Sequence, residues 1–107
     1  MKSSARTRTT ARALAALGHE ARLDLYRLLV RAGEEGLIVN DLVAHTGLAA
    51  STLGYHLRTL VGAGLVLQER RGKEIVNRAD YKAMSRTLGF LTDECCLGVS
   101  LVNDDAA

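Results

Sequence analysis

Val39-Asn40-Asp41-Leu42-Val43-Ala44-His45-Thr46-Gly47-Leu48-Ala49-Ala50-Ser51-Thr52-Leu53-Gly54-Tyr55-His56-Leu57-Arg58-Thr59-Leu60-Val61-Gly62-Ala63 is the stretch that decides the fold. It reads as a short helix over 39–46, a turn over 47–49 and a second helix over about 50–63. Gly47 supplies the left-handed residue that a sharp reversal after a short helix needs. Asn40 or Asp41 is placed to cap the first helix. In the second, Leu53, Leu57 and Leu60 recur at i, i+4 and i+7, a stripe that anchors one side on a core. Roughly opposite lie Ser51, Tyr55, Arg58, Thr59 and Gly62, with Thr52 and Gly54 at the margins. These are the dimensions of a helix-turn-helix, which presents its second helix to the DNA major groove. There hydroxyls donate to phosphates or base edges, and an arginine neutralises phosphate or reads guanine. Gly54 costs about 0.5–1 kcal/mol against alanine in mid-helix, which hints at a close approach. His56 sits nearer the anchor stripe than the outward one, which favours a hydrogen-bonded boundary histidine over a DNA contact. Taken alone, the polar residues also suit an ordinary solvated helix face.

The segment that follows tips the balance. Two β-prone runs, Leu65–Glu69 and Glu74–Asn77, flank Arg70-Arg71-Gly72-Lys73, which predicts a hairpin wing over about 65–77. Arg70, Arg71 and Lys73 place three cations on a projecting tip, within reach of the minor groove or flanking phosphates. Three neutralised phosphates give a salt slope of about −3 per wing. A charged tip is also a routine way to keep a hairpin edge soluble.

Outward from this centre, Ala11–Leu17 reads as an Ala-rich helix with Leu14 and Leu17 on one side, interrupted at Gly18. His19–Ala32 sets Ala21, Leu25, Leu28, Leu29 and Ala32 at helical spacing and ends between Gly33 and Gly36. Beyond the wing, Asp80 is placed to cap a last helix reaching about residue 97. Along it Tyr81, Met84, Leu88, Leu91 and Cys95 step by three and four, a heptad-like seam. Such a terminal seam is either core or a dimer contact, and because the chain already has another core the dimer contact is the favoured reading.

Composition narrows the class. At 107 residues the chain is expected to form a single domain, 1–107, mainly α with a small β-hairpin. Hydrophobic residues make up 48% and charged residues 24%, which excludes a wholly disordered chain. No apolar run approaches the ~20 residues of a membrane span, and nothing resembling a secretory signal follows Met1-Lys2-Ser3-Ser4. The net charge is only +2, but Lys2, Arg6, Arg8 and Arg12 stand without an acid among the first twelve residues. The middle is basic and the end beyond Asp80 acidic, so one face is suited to a polyanion. Two adjacent cysteines, Cys95 and Cys96, make a poor disulfide framework and indicate a reducing, cytoplasmic setting. No Ser-His-acid order, glycine-rich phosphate loop, paired catalytic carboxylates or C-x-x-C motif is present, so no enzyme is expected.

The ordered blocks Ala16-Leu17-Gly18-His19-Glu20-Ala21-Arg22-Leu23-Asp24-Leu25-Tyr26-Arg27-Leu28-Leu29, Asp41-Leu42-Val43, Thr46-Gly47-Leu48, Ser51, His56-Leu57, Leu60, Ala63-Gly64-Leu65-Val66 and Arg71-Gly72-Lys73 resemble the ArsR/SmtB family. These are winged-helix repressors of bacterial metal and metalloid resistance, and the match spans about Ala11 to Cys96. The resemblance implies a homodimer joined through the first and last helices, bound to double-stranded DNA with inverted half-sites and released by an inducer. On that reading the DNA-contacting residues are Ser51, Thr52, Tyr55, Arg58, Thr59, Arg70, Arg71 and Lys73. Ala49, Ala50 and Gly54 depart from the family's usual polar residues and thin the direct-readout set.

The family's inducer sites can be checked in turn. The thiolate site of the short helix needs cysteines, where this chain has Val39-Asn40-Asp41-Leu42-Val43. The zinc site of the last helix needs histidines, and none follows His56. What remains is Leu91-Thr92-Asp93-Glu94-Cys95-Cys96, similar to the vicinal cysteine pair of some arsenic-responsive members. Two thiolates suit a soft centre, trivalent arsenic or antimony, far better than a hard cation. Arsenite favours three ligands, whereas a monomethylated trivalent arsenical needs only two sulfurs. The expected ligand set is thus Cys95 and Cys96 on a trivalent arsenical or antimonite, with no resident cofactor. Alternatives are a repressor controlled by thiol redox or by a partner protein, with structural cysteines.

Overall fold

The computed structural model describes residues 2–101. Its elements run α1 (Ala5–Leu17), α2 (Glu20–Ala32), a short 3-10 turn (Gly33–Glu35), β1 (Leu37–Ile38), α3 (Val39–Thr46), α4 (Ala50–Gly62), β2 (Val66–Arg71), β3 (Glu74–Ala79) and α5 (Tyr81–Thr92). The expected helix-turn-helix and wing are both present, to within two residues at each boundary. Gly47, at φ +72°, makes the reversal between α3 and α4 as anticipated.

The core lies where α2 and α4 cross. Leu25 and Leu29 of α2 meet Leu42 of α3 and Leu53, Leu57 and Leu60 of α4, with Leu65, Val66 and Ala79 closing one end. All are buried, so the proposed anchor stripe of α4 is the anchor. Tyr26 joins them, although helical spacing alone had left it out. Ala13 and Ala16 of α1 pack onto the same core, while Leu14 remains exposed. Small alanines let α1 lie close, and the larger leucine is turned outward.

Three features depart from the sequence reading. First, the wing has a third strand: the sheet order is β1-β3-β2, all antiparallel, with Leu37 opposite Asn77 and Ile38 opposite Val76. A two-residue strand carries no periodicity to read. Gly36 permits it, because a Cβ there would lie 2.6 Å from Arg78 Cγ and 2.8 Å from Val76 Cγ1. Second, α3 begins at Val39 with Ile38 as its N-cap and no side-chain cap bond, so neither Asn40 nor Asp41 caps it. Pairing of Ile38 in the sheet fixes the helix entry one residue earlier. Third, α5 ends at Thr92 rather than near 97. Asp80 does cap its start, accepting from the Ala83 amide at 3.1 Å. Beyond Leu91, every residue through Leu101 is exposed, so within one chain no packing repays further ordering of the helix.

The apolar seam of α5 therefore divides. Met84 turns inward against the core with Ala83, whereas Leu88 and Leu91 remain 56% and 57% exposed. Leu97, Val99 and Leu101 extend that apolar surface past the helix. The chain is drawn out, with a radius of gyration of 16.9 Å against about 13 Å for a compact domain of this length.

Candidate nucleic-acid interface and cysteine pair

The outward face of α4 holds Ser51, Thr52, Tyr55 and Arg58, all exposed. Tyr55 is 56% exposed, unusual for an aromatic side chain that has a core within one helical turn. Arg58 folds back along the helix: a Cβ built on Gly54 would lie 3.3 Å from its Nη1. The close approach hinted at by Gly54 is thus made by the chain's own guanidinium. Thr59 stands apart from the others. It is half-buried, and its hydroxyl donates to the Tyr55 carbonyl at 3.1 Å.

At the wing tip Arg70, Arg71 and Lys73 are all exposed, but they are not equivalent. Arg71 Nη2 lies 3.3 Å from Glu69 Oε1, which Arg78 Nη2 also approaches at 3.4 Å. Arg70 reaches only the Gly72 carbonyl, at 3.4 Å. Lys73 has no ion-pair partner among the described residues. Two tip cations are therefore free for phosphate, and one is engaged within the strand.

Side chains behind this surface hold it in shape, and one of them, Asn77, was not singled out by the sequence. Asn77 is fully buried, accepts from Gln68 Nε2 at 2.8 Å and donates through Nδ2 to the Leu37 carbonyl at 3.1 Å. One side chain thereby ties all three strands of the wing. His56 is buried as expected, 3.3 Å from Arg22 Nη1 and with the His19 ring 4.9 Å away. Its pKa is lowered, first by burial and then by His19 and Arg22, which favours the neutral ring. For His56 the available signal was a polar side chain beside an apolar helical stripe, and for Asn77 a polar residue at the end of a β-prone run; their partners were not readable.

Cys95 and Cys96 lie in the turn after α5, not on the helix, and both are free and exposed. Cys96 has φ +66°, a left-handed conformation rare outside glycine. The sulfurs stand 3.0 Å apart. Side chains of neighbouring helical residues diverge by about 100°, so the turn brings the thiols closer than a helix would. The Cys95 thiol is held above its usual pKa, first by its hydrogen bond to Cys96 and then by desolvation. Among the described residues no cluster of three or more His, Cys, Asp or Glu side chains is arranged to hold a metal ion. The pair can present two sulfurs to a single soft atom.

Nearby, Arg6 of α1 lies over the Phe90 ring, 4.7 Å from its centroid, and 3.8 Å from Asp93 Oδ2. The start of α1 is thus laid against the end of α5 and the turn that carries the thiols. Among the described residues no helix is long and apolar enough to cross a membrane.

A helix-turn-helix domain model matches residues 17–69. Solved structures similar to this chain include an ArsR-like transcriptional regulator from Rhodococcus sp. RHA1, 26% identical over 79% of this chain and 77% of that one, with a TM-score of 0.71. A possible transcriptional regulator for arsenical resistance is 30% identical, covering 76% of this chain and 81% of that one, at a TM-score of 0.65. The antimony-specific transcriptional repressor AntR is 26% identical over 86% and 83% of the two chains, at 0.64. No curated protein matches.

Proposed function

The chain belongs to the ArsR family of winged helix-turn-helix transcriptional regulators, and from that premise we propose that it is a homodimeric repressor of an arsenic-resistance operon. It binds an operator with inverted half-sites and releases it when a trivalent arsenical, arsenite or methylarsenite, bonds Cys95 and Cys96. The observation that carries this reading is the exposed thiol pair, 3.0 Å apart, at the end of the helix that bears the uncovered Leu88 and Leu91. The similar structures described as an arsenical-resistance regulator and an antimony-specific repressor support the ligand class.

The DNA side of the mechanism uses α4 in the major groove. Ser51, Thr52, Tyr55 and Arg58 face the bases with Thr59 at their flank, while Arg70 and Lys73 engage flanking phosphates and Arg71, held by Glu69, contributes less. A second copy covering the outer faces of α1 and α5 places two such helices side by side, which is what an inverted repeat requires. On the ligand side, each thiol proton passes to a hydroxyl of the arsenical, two waters leave and two As–S bonds form, with no change of oxidation state. Methylarsenite is satisfied by the two sulfurs; arsenite keeps a hydroxyl or takes a third group. Because the pair adjoins the dimer surface, closing it on arsenic re-angles the two α4 helices. A coupling of about 1–3 kcal/mol lowers operator affinity about 5–150-fold.

The test is fluorescence anisotropy of a labelled duplex from the DNA upstream of the gene, titrated with protein and then with arsenite, methylarsenite or zinc. Tight binding relieved by the arsenicals alone is the expected result. Tight binding that no arsenical relieves overturns the thiol sensor and leaves a repressor under redox or partner control.

A further inference from the structure

We propose that Arg12 and Arg22 are positioning residues for DNA recognition: they pin α4 to α1 at two points and thereby set the separation of the two recognition helices in the dimer. The inference rests on the homodimeric DNA-binding reading above. Arg22, on α2, reaches both neighbours. Its Nε donates to the Ala16 carbonyl, in the last turn of α1, at 2.6 Å. Its Nη1 stands 3.3 Å from His56 Nδ1 on α4. A guanidinium has only donors, so Nδ1 accepts and the ring proton sits on Nε2. Arg12 makes the second pin, from the middle of α1: its Nη2 donates to the Gly62 carbonyl, at the last residue of α4, at 2.9 Å.

Both carbonyls belong to helix ends, where the last four have no intrahelical partner and are favourably met by a cation. The two pins on α4, at His56 and Gly62, are about 9 Å apart along the helix axis. Attachment at two separated points fixes tilt as well as position, whereas one point leaves a pivot. Ala13 and Ala16 seat α1 on the core, and the two pins act on the outer side of that contact, where packing is sparse. Ala15, Ala16, Gly62 and Ala63 are small and leave, with Thr59 and the two arginines, an open cleft of about 340 Å³ between the helices. Across it the guanidinium groups are the spanning contacts.

The functional consequence follows from the geometry of an inverted repeat. Recognition helices of a dimer enter grooves about 34–36 Å apart. If α1 forms part of the dimer contact, α1 is the fixed reference and the α1–α4 pins decide where each α4 lands. Binding to one half-site needs only α4 and the wing; binding to two half-sites at a set spacing needs the pins.

The experiment compares the parent with Arg12→Gln and Arg22→Gln on three duplexes. One is the operator footprinted from the upstream DNA, one is the same sequence with its spacer changed by a single base pair, and one contains a single half-site. Circular dichroism and thermal melting run alongside. Arg12 is an exposed side chain, so its variant keeps the test open even where Arg22→Gln is poorly folded. The parent is expected to lose on the order of tenfold on the altered spacer. The variants are expected to match the parent within about twofold on the half-site, to bind the operator on the order of tenfold more weakly, and to discriminate spacing less than about threefold. Variants that keep the parent's spacing discrimination overturn the proposal. So do variants weakened equally on half-site and operator, which assigns the arginines a purely structural role. A parent that binds none of the duplexes overturns the DNA-binding reading itself, and this inference with it.

Discussion

Replacing Arg70 and Lys73 together by glutamine isolates the electrostatic part of the wing. Each phosphate neutralised on duplex DNA contributes about −0.9 to the slope of log affinity against log salt. Three tip cations suggest a slope near −3 per wing, but Arg71 is held at 3.3 Å by Glu69, which leaves Arg70 and Lys73 free. Removing those two flattens the slope by about 1.8 per subunit and about 3.6 per dimer. Between 50 and 200 mM salt the parent then loses about 150-fold more affinity than the double variant. Anisotropy titrations of one operator duplex at four salt concentrations measure both slopes directly. Arg71→Gln is expected to change the slope by clearly less than either of the other single replacements. Glu69→Gln is expected to steepen it, by about 0.9 per subunit, because Arg71 is released. A double variant with the parent's slope refutes phosphate contact by the wing tip. An Arg71→Gln effect as large as that of Arg70→Gln refutes the inequality drawn from the ion pair.

Three further outcomes concern the scaffold. Leu60→Ala, at a fully buried position of the α4 anchor, is expected to cost about 2–5 kcal/mol in denaturant unfolding, and a cost below 1 contradicts the core assignment. Tyr26→Phe is expected to stabilise by about 1 kcal/mol, raising the melting temperature about 4–8 °C, because the Tyr26 hydroxyl is buried without a hydrogen-bond partner; a lower melting temperature counts against that. His56 has a folded pKa below its ordinary value, mainly through burial, with His19 and Arg22 adding to it. The unfolded chain therefore binds the proton first: its share of stability is complete above about pH 6.5 and is lost as pH falls through the folded pKa. Urea midpoints measured at pH 7.5 and 5 should separate for the parent, and His56→Gln should narrow the gap.

The helix-turn-helix was legible because its signals are local and agree with one another. Leucines at helical spacing, a glycine at the reversal and a charged glycine tip between two β-prone runs each point the same way. The outward faces of α4 and the wing followed from that framework, and Ser51, Tyr55, Arg58, Arg70 and Lys73 are exposed where the pattern put them. What sequence did not show depends on contacts between distant segments. Leu37–Ile38 becomes a strand only because β3 lies beside it, and Asn77 is buried only because β1 and β2 both meet its side chain. The end of α5 was overestimated for a related reason. A seam read from apolar spacing continues to Cys95, but a helix persists only while it packs, and from Leu91 through Leu101 every residue is exposed in one chain. That error moved the cysteines from a helix face to a turn, where their sulfurs lie closer together. The Arg71–Glu69 pair was similarly invisible, since Glu69 was read at the end of a strand and Arg71 as a free cation of the tip, whereas β2 runs on through Arg71.

The most direct test of the account sets the parent beside Cys95→Ser, Cys96→Ser in one anisotropy experiment, with both proteins saturating the same operator duplex before methylarsenite is added. Both are expected to bind DNA equally well, since the two cysteines are exposed in the turn after α5 and are not among the DNA-facing residues. The parent should then release the duplex at about one arsenical per thiol pair, while the double serine variant holds it. Release of the variant at the parent's arsenical concentration would contradict the claim that these two thiols are the sensor.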